Sequence, residues 1–436
     1  SRDLRWLEVL FASIVCAGVI GAILGVLQVL WPQSVDGLTW LASNRATPGR
    51  AVGNLGQPNL LSTLLNLALI ALLAVRVVSG NVFIFAVLIL SAGVALTGSR
   101  TGIISLLIVL FFGLRFLPKG VGRRVWVGGI VLGFASALAL SWMASLNGQS
   151  TFFFAQRVAG GSDFSSSRFS IWQDCVELLE DNIWSGVGWR MLNQAWTMAP
   201  MPNRSIALLD HAHNLSLQLA IELGVPVAVL YTALLGGALW AFLSKCRVFA
   251  SQKQGIATFY PHIIISVCLL VLHSQLEYPL WYAFFLLPFS YWLGVLVRAN
   301  VEQSSEAEMV PSIVLSKGLQ LVGVLAIISC VFVFWDYGKV ARVYAPSKNS
   351  ESIPLGWRID DARKSILFGH YGDLALIFTS DPRLVPLDVF ERPLRNLINP
   401  RLLRDYALSL DAHSRPREAA DAAARLREFH SPVAKE

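Results

Sequence analysis

The sequence predicts an all-α polytopic membrane protein of about nine transmembrane helices, a long polar loop carrying short helices, and a C-terminal helical domain outside the membrane. Three observations lead there. Of the 436 residues, 55% are hydrophobic and 14% charged, against about 25% charged in a soluble domain. Apolar runs recur between positions 7 and 335, several near the ~20 residues that cross a bilayer core. The formal charge of +7 is carried largely in short loops between those runs. That is an orientation signal, not the basic face of a nucleic-acid binder.

The runs predict spans at about 7–31, 60–79, 82–98, 101–117, 125–145, 214–243, 256–273, 280–298 and 312–335. The short loops on one side hold Arg76, Arg115, Lys119, Arg123, Arg124, Lys245, Arg247, Lys253 and Arg298, so this side is expected to be cytoplasmic. The other side holds the loop around 32–59, the turn Thr97 to Thr101, the long loop at about 146–213, the turn His273 to Pro279, and the tail. The expected domains are therefore 1–335, a transmembrane domain that includes the 146–213 loop, and 336–436, a charged helical domain. The end of the tail reads as helix, turn, helix: Leu402 to Ala412, Arg415-Pro416, Glu418 to Phe429. The chain opens on Ser1 without an initiator Met, and trimming or missing upstream spans is expected. Five scattered cysteines predict no disulfide framework, and no cysteine–histidine cluster has zinc spacing, so neither metal nor cofactor is expected.

Four spans run inward from the outer face, those starting near 60, 101, 214 and 280. A polar cluster sits at each of their amino ends: Gly53 to Asn59 (GNLGQPN), Thr97 to Gly102 (TGSRTG), Asp210 to Asn214 (DHAHN), and His273 to Pro279 (HSQLEYP). Free N–H groups and the positive dipole end make a helix N-terminus an anion site. Four such ends, with an arginine and histidines among them, suggest a pocket for a phosphorylated lipid headgroup.

Each residue also has a plainer reading. Arg100 either snorkels to the interface or meets an anion. Arg168 either opens an amphipathic helix paired to Glu177, Glu180 or Asp181, or binds substrate. His211 and His213 lie two apart and cannot share a helical face, yet a neutral imidazole takes a proton near neutral pH. Gln57 can cap a helix that begins at Pro58. Glu277 can pair with His273 or an arginine. Trp281, Tyr282, Phe284 and Phe285 read as an interfacial belt and core packing.

Taken together, the order Gln-Pro-Asn, Gly-Ser-Arg, Arg-x-x-Ile-Trp, His-x-His-Asn-x-x-x-Gln and His-Ser-x-Leu-Glu-Tyr-Pro-Leu-Trp-Tyr resembles the bacterial protein (pilin-type) O-oligosaccharyltransferases of the O-antigen ligase superfamily. The resemblance covers about 50–345 and, more loosely, the tail. It implies an enzyme of the bacterial inner membrane with its active site facing the periplasm. Such an enzyme moves a preassembled oligosaccharide en bloc from undecaprenyl diphosphate to Ser or Thr hydroxyls of an exported acceptor protein such as a pilin, without a metal. On this resemblance Arg100 and Arg168 hold the diphosphate. His213, directly before Asn214, is the catalytic position, with His211 its alternative. Gln57, Asn59, Glu277 and Tyr278 place substrate. Relatives carry further spans before the first one here. The alternatives are an O-antigen ligase acting on lipid A core, an O-antigen polymerase, or a transporter of lipid-linked glycan. The transporter reading lacks a matched pair of interrupted helices.

Overall fold

Proline, glycine and capping side chains cut the apolar runs into helices. A computed structural model describes residues 2–34, 49–75, 80–117, 120–146, 164–201, 204, 208–252, 255–304, 313–346 and 351–429, and among these it contains helices and no strand. The basic-side residues Arg76, Lys119 and Lys253, and the segment 147–163 of the long loop, lie outside the described residues.

The helices of the membrane region are α1 (Arg2–Leu30), α2 (Pro58–Ala74), α3 (Gly80–Thr97), α4 (Arg100–Phe116) and α5 (Val121–Leu146). The long loop adds α6 (Phe164–Glu180) and α7 (Leu192–Met198). Then come α8 (Leu215–Leu223), α9 (Val225–Ser251), α10 (Tyr260–Ser274), α11 (Ala283–Ser304) and α12 (Ile313–Tyr344). The tail forms α13 (Leu355–Arg363), α14 (Gly369–Thr379), α15 (Asp388–Leu394), α16 (Pro400–Ala412) and α17 (Pro416–Glu428).

Every predicted span meets a helix. Among the described residues, six contain stretches long and apolar enough to cross a membrane: Leu4–Leu30, Gly80–Thr97, Gly122–Met143, Val225–Phe249, Ala283–Asn300 and Gln320–Tyr344. Pro58–Ala74 and Tyr260–Ser274 are shorter apolar helices, and α4 has 17 residues. Only 6% of the α12 span is buried, and Leu321, Ile327, Val331 and Phe334 all stand exposed. Such an apolar surface is stable against lipid rather than water. The chain is an integral membrane protein.

One expected span is corrected. The run 214–243 is broken at Gly224, whose φ is 89°, so α8 is a separate short helix and the crossing stretch is Val225–Phe249. The break has a physical cause. The Ile221 and Glu222 carbonyls accept Val187 N (2.7 Å) and Gly188 N (3.1 Å), while Val225 N donates to Ile183 O (2.8 Å). A Cβ at position 224 would collide with the Trp184 carbonyl, so only glycine fits this crossing.

The chain divides into two compact units. The first comprises Ser1–Asp163, His213–Leu215 and Thr232–Ala307. Its centre is α2, buried along almost its whole length, as expected of a helix apolar on all sides. Small residues bring its neighbours close. A Cβ on Gly18 of α1 would lie 2.5 Å from Ala68 Cβ, one on Gly93 of α3 would lie 2.7 Å from Leu65, and one on Gly102 of α4 would lie 2.5 Å from Ser62 Cβ. Membrane helices pack through such small-residue contacts because lipid gives them little hydrophobic drive to associate.

The second unit comprises Phe164–Ala212, Ser216–Tyr231 and Glu308–Glu436. The tail helices expected as a domain of their own share one hydrophobic core with the 164–212 loop, through Trp196, Leu209, Phe390, Leu402 and Phe429. Asn193 donates to Leu209 O (3.0 Å) and accepts Ile398 N (2.6 Å). Arg204 is buried between the Trp196 and Phe429 rings and pairs with Glu428 Oε2 at 3.0 Å. Burial pulls its guanidinium pKa down, and Glu428 opposes that shift. Asp336 near the end of α12 accepts from Ser365 Oγ (2.7 Å) and Leu367 N (2.9 Å), so the membrane helix is bonded directly to the tail.

Candidate active site

In the first unit the amino ends of α2 and α4 meet the His213–Asn214 segment and the turn after α10. Gln57 caps α2 by accepting Leu60 N at 2.8 Å, with Pro58 in the first turn. Ser99 caps α4 by accepting Gly102 N at 3.0 Å. These caps satisfy N–H groups that a helix start leaves open. The plain reading of Gln57 as a cap therefore holds.

A chain of side-chain hydrogen bonds joins the parts. Ser99 Oγ donates to Asn59 Oδ1 at 2.7 Å. Asn59 Nδ2 donates to Glu277 Oε1 at 2.8 Å. Glu277 Oε2 meets His213 Nδ1 at 2.8 Å. An ionised carboxylate only accepts, so Nδ1 carries the proton and Nε2 is left as the basic nitrogen. The Glu277 side chain is 6% exposed and that of His213 25%, which leaves the carboxylate sheltered and the imidazole reachable.

The histidine is held firmly. His213 has φ 51°, a left-handed conformation that costs a non-glycine residue about 1–3 kcal/mol and persists only where the surroundings impose it. Asn214 Nδ2 donates to Gln275 O at 3.2 Å, and the Tyr278 ring meets the imidazole edge-on at 5.1 Å. Tyr278 in turn stacks on Tyr282. Ala212, the residue before His213, is fixed at both backbone groups within the second unit. Its N–H donates to Gln218 Oε1 (2.7 Å) and its carbonyl accepts Trp172 Nε1 (2.9 Å). Gln218 also donates to Glu222 (2.9 Å), whose carboxyl pKa is raised by burial, an effect that backbone bonds from Arg190 and Leu192 and the Gln218 bond oppose.

The structure thus brings His213, Glu277, Tyr278, Asn59 and Gln57 together, with Ser99 joining them. Arg100 follows Ser99 as the first residue of α4 and is exposed. Arg168 and His211 belong to the second unit. Arg168 is half-buried in α6, one turn before Trp172, and His211 pairs with Asp210 at 3.2 Å. The expected partner of Glu277 is His273 or an arginine; the bonds described for its carboxylate are those to His213 and Asn59. His273 is fully buried and meets Thr63 Oγ1 at 2.8 Å instead. Its carbonyl accepts Glu277 N at 2.8 Å, so it shapes the turn that carries the carboxylate.

Two supports escaped the sequence reading. Gln28 in α1 accepts Val52 N and Gly53 N and donates to Gly53 O, all within 3.0 Å. Arg50 Nε donates to Thr97 O at 2.8 Å, closing the C-terminus of α3. A lone glutamine inside an apolar run was the available signal for the first.

Comparison with known proteins gives three family matches along the chain. Residues 51–74 match a protein glycosylation ligase family, 85–232 an O-antigen ligase family, and 264–434 the C-terminal region of a virulence factor membrane-bound polymerase family. The chain is 29% identical over 269 residues to a ComP-specific O-oligosaccharyltransferase of Acinetobacter baylyi, covering 59% of this chain and 45% of that protein. It is 24% identical over 424 residues to a general O-oligosaccharyltransferase of the same organism, covering 90% of this chain and 70% of that protein. The chain thus spans under half the length of the first relative. No solved structure matches it significantly. With these matches in consecutive segments, the chain is similar to members of the O-antigen ligase superfamily and, among them, to protein O-oligosaccharyltransferases.

Proposed function

We propose that this protein is a membrane glycosyltransferase that moves an oligosaccharide en bloc from undecaprenyl diphosphate to Ser or Thr hydroxyls of an exported acceptor protein, such as a pilin. The reaction takes place on the periplasmic face of the bacterial inner membrane. The observation that carries this reading is the bond of His213 to Glu277, itself held by Asn59 and Ser99 at the amino end of α4.

His213 Nε2 takes the proton of the acceptor hydroxyl as its oxygen attacks the anomeric carbon. The bond from that carbon to the diphosphate oxygen breaks, and the lipid diphosphate leaves with the electron pair. Glu277 holds the ring in the productive tautomer and offsets the charge of the imidazolium, as the carboxylate of a hydrolase triad does. Arg100, at the positive end of α4, and Arg168 bind the diphosphate through charge-assisted bonds and stabilise its growing charge. Gln57, Asn59 and Tyr278 place donor and acceptor. His213 is preferred to His211 because its partner is a sheltered carboxylate, whereas His211 pairs with a half-exposed one.

The test is intact-mass analysis of periplasmic proteins from cells with and without the gene. A glycan mass shift on an exported protein supports protein transfer. A change confined to lipopolysaccharide would instead indicate a ligase that uses the same residues. With arginines stabilising the leaving group, transfer should proceed undiminished in chelator, and strict dependence on a divalent ion would contradict the mechanism.

A further inference from the structure

The helical hairpin of α16 and α17 holds a trough that takes no part in the reaction described above. Ala407, Ala420, Ala423 and Leu426 contribute its floor, and its volume is about 620 Å³, within the ~300–1,000 Å³ of ligand sites. The alanines make the space, because small side chains on both helices leave the hairpin unfilled on that side. Around it stand Arg383, Arg404 and Arg427 against, among the described residues, one acid, Asp411. Arg404 is held by Asp405 at 3.0 Å. Arg383 and Arg427 are exposed, and among the described residues neither guanidinium has an ion-pair partner.

We propose that this trough binds an acidic, amphipathic peptide segment of the protein acceptor, its apolar side on the alanine floor and its carboxylates on the arginines. That the peptide belongs to the acceptor rests on the transferase reading; the chemistry of the trough does not. Arginine forks match carboxylates in a bidentate way, and grooves between helices take segments with one apolar side. A membrane surface is the poorer fit. Interfacial binding uses large apolar side chains that protrude, whereas here the apolar groups are mostly alanines set below arginines.

The test uses the full-length protein in detergent and a short fluorescein-labelled peptide alternating glutamate with leucine, with a lysine-for-glutamate control. Fluorescence anisotropy should show binding of the acidic peptide alone. Arg383→Glu/Arg427→Glu should weaken it roughly tenfold or more, through loss of charge-assisted bonds. Ala420→Phe, which fills the trough without changing charge, should weaken it as well. All three positions are exposed, and circular dichroism should confirm that the variants fold. Equal binding of both peptides, or an unchanged affinity in both variants, would overturn the proposal. So would loss of binding to anionic phosphatidylglycerol vesicles in the double variant with peptide affinity untouched. No glycan is present, so failure of the transferase reading would appear as peptide binding without transfer, and failure of the trough as transfer without peptide binding.

Discussion

His213 and Glu277 stand 64 positions apart in the chain and meet at 2.8 Å through Nδ1 and Oε2. The carboxylate reaches the imidazole because the Glu277 N–H is tied back to the His273 carbonyl, and its second oxygen is held by Asn59. Glu277→Gln keeps the size of the side chain and removes its charge. Transfer should fall roughly 10²- to 10⁴-fold, the usual contribution of positioned acid–base catalysis. The check is the rate of glycan transfer by purified protein; a rate within a few-fold of wild type would mean that the pair is only structural.

Arg100 and Arg168 should differ from lysine in the same way. Replacement by Ala should raise the donor KM at least tenfold, while Lys should recover only part of the loss, because an ammonium lacks the planar fork that grips two phosphate oxygens. Titration with lipid-linked donor reads this directly. An unchanged donor KM in both Ala variants would remove the anion pocket from the mechanism.

Gly102 lets the amino end of α4 rest on α2. A methyl group there would lie 2.5 Å from Ser62 Cβ and 3.2 Å from Ser99 Cβ. Gly102→Ala should therefore cost about 1–3 kcal/mol by overpacking and move Ser99 off Asn59. Lowered thermal stability together with reduced transfer is the expected result. Full activity at wild-type stability would show that α4 is free to shift without disturbing the site.

Glu222 is buried, and its carboxyl pKa lies above the ordinary carboxylate range because burial disfavours the charge. A carboxyl raised in the folded state favours folding at low pH, and that contribution is lost as pH climbs through the folded value. Glu222→Gln removes the charge while keeping a partner for Gln218. Its melting temperature relative to wild type should therefore rise from acidic to neutral pH. A difference that stays flat across that range would mean the carboxyl is not destabilised by burial.

Much of this was legible in the sequence because membrane spans announce themselves by length and apolarity, and polar clusters among them stand out. The helix starts at Pro58 and Arg100 follow from cap chemistry that is local to the chain. The break at Gly224 was missed because its cause lies some 40 positions upstream, in the Ile183–Gly188 loop that bonds the end of α8. The partner of Glu277 was missed for the same reason. Local spacing offered His273, four residues away, whereas packing supplies His213 and Asn59. The shared core of the 164–212 loop and the tail depends on contacts such as Asn193 with Ile398, which no periodicity in either segment reveals.

The most direct measurement is the intact mass of a co-expressed acceptor protein in cells carrying wild-type or His213→Ala enzyme, with membrane levels of the two matched. The imidazole account predicts a glycan-sized increase with wild type and none with His213→Ala. An equal increase with both would contradict it.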